Sequence, residues 1–116
     1  MRRFVAAALA LLAAPAWAAG PNGGLVTVAD DHPVEMVATA DALTFFLSHE
    51  DGKPIDTRGL SAKAYIQAAG GTQTLGLTPE APNRLVGALK GPLPQGAKVV
   101  LSTRVHGHNL QARFAP

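Results

Sequence analysis

Along most of this chain apolar residues recur at every second position in short runs, and Gly, Pro, Asn or Asp breaks the pattern about every ten residues. Leu43, Phe45 and Leu47 face one way, with Thr44 and Ser48 facing the other. Ala62, Ala64, Ile66 and Ala68 alternate with Lys63, Tyr65 and Gln67. Val99, Leu101 and Val105 alternate with Lys98, Ser102 and Arg104, and Leu110, Ala112 and Phe114 with Gln111 and Arg113. A period of two gives each segment one buried and one wet face, which is the pattern of an antiparallel sheet. The rhythm predicts strands over 25–29, 33–39, 42–48, 61–68, 72–78, 84–89, 97–105 and 110–115.

Helix competes only over the Ala-rich stretch 61–69, and Gly70-Gly71 followed by a Thr-rich segment favours a hairpin there. Asp51-Gly52-Lys53-Pro54 is a second hairpin-type connection. Thr78-Pro79, Ala81-Pro82-Asn83 and Gly91-Pro92 cannot continue a central strand. Seven or eight short strands with regular turns imply one antiparallel β-sandwich over 25–116, of immunoglobulin-like architecture. The single Trp lies at position 17, outside that span, and there is no Cys, so the antibody core of Trp and disulfide is not expected.

The first nineteen residues read differently. Arg2 and Arg3 precede an apolar run from Phe4 to Ala14, and Ala16-Trp17-Ala18 supplies small residues for a signal peptidase. Pro15 interrupts the run, which is too short for a membrane span of about 20 residues. The expectation is a signal peptide over 1–19, cut near Ala18 or Ala19, then a flexible or turn-rich leader at Gly20-Pro21-Asn22-Gly23-Gly24. A periplasmic location follows.

Ten basic against eight acidic residues give a formal charge of +2. Arg2 and Arg3 belong to the leader, and without them the charges balance, so the pI of 9.4 is no nucleic-acid footprint. About 97 residues then remain, enough for one core but not for a core and a deep substrate cleft. The lack of Cys removes disulfides, thiolate metal sites and cysteine nucleophiles. Ser48-His49-Glu50 and Ser102 sit in no G-x-S-x-G frame, and the Gly-rich pieces lack the Lys of a phosphate loop. Catalysis is therefore not expected.

The histidines carry more information. His32, His49, His106 and His108 fall at strand ends or in turns. If every connection reverses the chain, the first, third and seventh turns meet at one end of the domain. All four imidazoles then gather there with Asp30, Asp31, Glu50 and Asp51, while Met36 goes to the core. Imidazole with carboxylate suits Cu(II), Ni(II) or Zn(II), and His106-Gly107-His108 offers two nitrogens from one tight turn. The candidate metal ligands are His32, His49, His106 and His108. The rival expectation is a protein-interaction module that docks on an envelope complex through a strand edge or loop surface.

Several segments also resemble a known group. Gly20-Pro21-Asn22-Gly23-Gly24, His32-Pro33-Val34-Glu35-Met36-Val37, Leu43 to Leu47, Asp51-Gly52-Lys53-Pro54, Gly96-Ala97-Lys98-Val99-Val100 and Ala112-Arg113-Phe114 are similar to small periplasmic proteins of Gram-negative bacteria. They are similar too to segments near the N-termini of heavy-metal efflux adaptor proteins. The resemblance implies a periplasmic β-sandwich linked to metal export or resistance, and brings no ligand set with it.

Overall fold

The computed structural model describes residues 18–116, so the expected signal peptide lies outside the described residues except for its last two positions. Those two form β1 (Ala18–Ala19). Eight longer strands follow: β2 (Leu25–Ala29), β3 (His32–Ala38), β4 (Ala42–Leu47), β5 (Ala62–Ala68), β6 (Gly71–Glu80), β7 (Arg84–Ala88), β8 (Lys98–Val105) and β9 (His108–Phe114). All neighbours pair antiparallel, and the described residues include no helix. The Ala-rich stretch 62–68 is a strand, hairpinned to β6 as Gly70-Gly71 requires.

The sequence leads to two sheets of immunoglobulin type, and here the pairing differs. The strands form one sheet in the order β1-β2-β3-β4-β7-β6-β5-β8-β9, and β2 lies against β9, so the sheet nearly closes on itself. The reason is the length of β6. Its first part, Gly71–Leu77, pairs with β5, and its last three residues, Thr78–Glu80, pair with β7. One strand thus carries the hydrogen-bond ladder between layers that an immunoglobulin domain keeps separate.

The alternation predicted from sequence sets the core. Leu43, Phe45 and Leu47 from β4 pack with Val34 and Met36 from β3 and Leu85 from β7. Ala64, Ile66, Val99, Leu101, Leu110, Ala112 and Phe114 oppose them from β5, β8 and β9. Phe45 and Phe114 meet across the interior with ring centroids 5.8 Å apart, a separation typical of favourable aromatic pairs.

The Gly20–Gly24 segment is a turn between β1 and β2, in keeping with its turn-rich composition. Glu35 in β3 is only 4% exposed. Its carboxylate accepts hydrogen bonds from the Asn22 backbone N–H (3.0 Å), the Asn22 side-chain amide (2.9 Å) and the Gly24 N–H (2.8 Å). A buried carboxylate must find such donors, and this fixes a segment whose composition suggested mobility.

Candidate functional site

Three connections meet at one end of the sheet. Two of them are two-residue hairpins. Between β2 and β3 the loop is Asp30-Asp31, with φ of 51° and 64°; between β8 and β9 it is His106-Gly107, with φ of 52° and 81°. Positive φ at both central positions defines the type I′ turn, which matches strand twist and favours Asp, Asn and Gly. These tight turns extend the strands beyond the sequence expectation, so His32 opens β3 and His108 opens β9.

The third connection follows β4. The Ser48 N–H donates to the Pro33 carbonyl (3.0 Å), anchoring the loop beside His32. His49 then starts a tight turn, with the Gly52 N–H donating to its carbonyl at 2.8 Å and its own N–H donating to Lys53 O at 2.7 Å. The Asp51 carboxylate turns back to accept from the Lys53 N–H (3.0 Å).

The imidazoles of His32, His49 and His106 form a triangle. Their centroids are 6.2 Å apart for His32–His49, 6.3 Å for His32–His106 and 5.5 Å for His49–His106. His32 and His49 are half-buried, and His106 is exposed on its turn. His108 is exposed too, but among the described residues no ring contact joins it to the other three. Asp30, Asp31 and Glu50 are exposed on the same connections. Arg104 donates to the Gly107 carbonyl at 2.9 Å and braces the β8–β9 turn.

One further contact gives the triangle chemical direction. His32 Nδ1 lies 2.7 Å from the Asp30 carbonyl. A carbonyl only accepts, so Nδ1 carries the proton and the neutral ring presents its free lone pair at Nε2. A backbone carbonyl on the far ring nitrogen is the usual way a ligating histidine is oriented.

Imidazole is a suitable donor type for a divalent transition metal, and the ring spacing can be compared with what one ion requires. With metal–nitrogen bonds of about 2.0–2.1 Å, three imidazoles on one ion have centroids about 5–5.5 Å apart. The observed separations exceed this by at most about 1 Å. As the side chains stand, no group of three His, Asp or Glu among the described residues is arranged to hold an ion. The His49 and His106 rings are within 7° of parallel and do not aim at a common point.

The expected gathering of turns at one end holds for all four histidines, with ring contacts among the described residues joining His32, His49 and His106, and Met36 is in the core as expected at 2% exposure. Sequence reading missed the Glu35 cradle and the Asp30–His32 contact. The signal for the second was there: Asp-Asp between two strand patterns is a two-residue hairpin loop. No protein-family model, curated protein or solved structure matches this chain.

Proposed function

We propose that this chain is an exported, non-enzymatic β domain of the Gram-negative periplasm that binds or relays a divalent transition metal, Cu(II), Ni(II) or Zn(II), in connection with heavy-metal efflux or resistance. The observation that supports it is the convergence of His32, His49 and His106 from three separate connections, with His32 Nε2 left free. Three imidazoles at an open rim suit an ion that must also leave. Titration of the purified protein with each metal tests this. Binding tighter than about 100 μM, lost in the His49→Ala and His106→Ala variants, is the expected result; no binding at that level ends the proposal.

A second reading has its own observation. A groove of about 790 Å³ runs over the outer face of the sheet, lined by Val26, Pro33, Phe46, Pro54 and Arg84 among others, and Val28 beside it is 65% exposed. Such a surface suits a module that docks on an envelope complex. The histidine variants separate the two readings, because they leave this groove untouched.

A further inference from the structure

Glu35 poses a physical problem that the metal site does not absorb. Its carboxylate is buried, and its hydrogen-bond partners from Asn22 and Gly24 are all neutral. Among the described residues the ion pairs are Asp56–Arg58 and Glu80–Arg84, and neither involves Glu35. Hydrogen bonds satisfy the oxygens but leave the charge uncompensated, which is costly at this burial.

The space around the carboxylate shows where a cation can come from. Gly20 packs directly on it: a Cβ at Gly20 would fall 2.6 Å from Oε1 and closer still to Oε2 and the carboxyl carbon, so any side chain there would push the carboxylate out of its place. Backbone geometry then puts the Gly20 nitrogen within about 5 Å of the carboxylate. Gly20 is also the first residue after the expected signal peptide. A cut after Ala19 makes this nitrogen the α-amine, and a cut after Ala18 puts the amine one residue, about 3.8 Å, further away.

We infer that Glu35 and the Gly20–Gly24 turn form a binding site for an α-ammonium group, the chain's own amino terminus once the leader is removed. The inference rests on the export reading and not on the metal reading. Backbone N–H groups hold the carboxylate in place, and the ammonium completes it as its counter-charge, a known mode of terminus capture. The uncut chain has a neutral amide at this position. The domain therefore gains the pair only after processing, on the far side of the membrane, where stability no longer hinders translocation.

The test uses the processed protein, recovered after expression of the full chain in a Gram-negative host. Its amino terminus is sequenced, and its melting is compared before and after selective acetylation of the α-amine, in the natural chain and in Glu35→Gln. Acetylation should lower the melting temperature by about 4–8 °C in the natural chain and leave the variant unchanged. Equal melting before and after acetylation, or the same drop in both backgrounds, overturns the inference. If Glu35→Gln does not fold, titration of the α-amine decides. A pKa above the usual 7.7–8.0 supports the pair, although Arg84 on the same groove opposes it, and a value at or below that range refutes it. A terminus more than two residues from Gly20 sinks both this inference and the cleavage expectation. A correct terminus with no melting difference sinks the inference alone.

Discussion

At the scale of single residues, what distinguishes the histidines is their second contacts. His32 is oriented by the Asp30 carbonyl, whereas His106 is exposed on its turn with its ring stacked on His49. Losing the oriented ring should also tell: His32→Ala is expected to weaken metal binding 10-fold or more, and His108→Ala less than 3-fold, read from the titration midpoints. Asp56 offers an independent check on local electrostatics. The Arg58 side chain, and then the Arg58 backbone N–H, hold its carboxyl down from the ordinary 3.8 to about 2. Carboxyl shifts followed against pH should place its midpoint there, and Arg58→Ala should raise it part of the way back, because the backbone N–H at position 58 still donates. A carboxylate with a lowered pKa favours the folded state above the ordinary value and loses that contribution as pH falls toward 2. Both side chains are largely in water, so the effect on stability is small.

Among the elements, the two type I′ hairpins decide where the imidazoles go. Each loop has only two residues, so a single insertion would turn His32 or His106 away from the cluster. Asp30→Asn with Asp31→Gly places the most favourable residues at positions already at positive φ. That pair should raise stability by about 0.5–1 kcal/mol in denaturant unfolding without changing metal affinity. Gly107→Val should do the opposite, costing about 1–2 kcal/mol because a branched side chain resists a φ of 81°. A metal affinity that falls with Gly107→Val while His106 remains would show that turn geometry, and not imidazole count, sets the site.

For the whole molecule, stability comes from one core packed between the two halves of a nearly closed sheet. Phe45 and Phe114 touch at its centre, so Phe45→Ala should cost about 3–5 kcal/mol, measured by urea or thermal unfolding. Without a disulfide the domain has little in reserve against such a loss. Metal binding to the folded form should recover part of it: saturation at about 100 times the dissociation constant adds about 2.7 kcal/mol, and adding a chelator removes it.

Period-two alternation determined the inward-facing residues of β4, β5, β8 and β9 by itself, from Leu43, Phe45 and Leu47 to Leu110, Ala112 and Phe114, whereas β6 runs through Thr78-Pro79 against the sequence expectation. Burial of one face is a local consequence of side-chain order along an extended backbone. Parity of chain reversals likewise placed all four histidines at one end before any coordinates, but not which rings touch. What lay beyond the sequence were long-range matters: β6 bridging two layers, His108 standing apart from the cluster, and Glu35 folding the Gly20–Gly24 segment around itself. Each depends on which distant backbone groups come within hydrogen-bonding reach, and chain order does not encode that distance. Only the closed three-dimensional packing does.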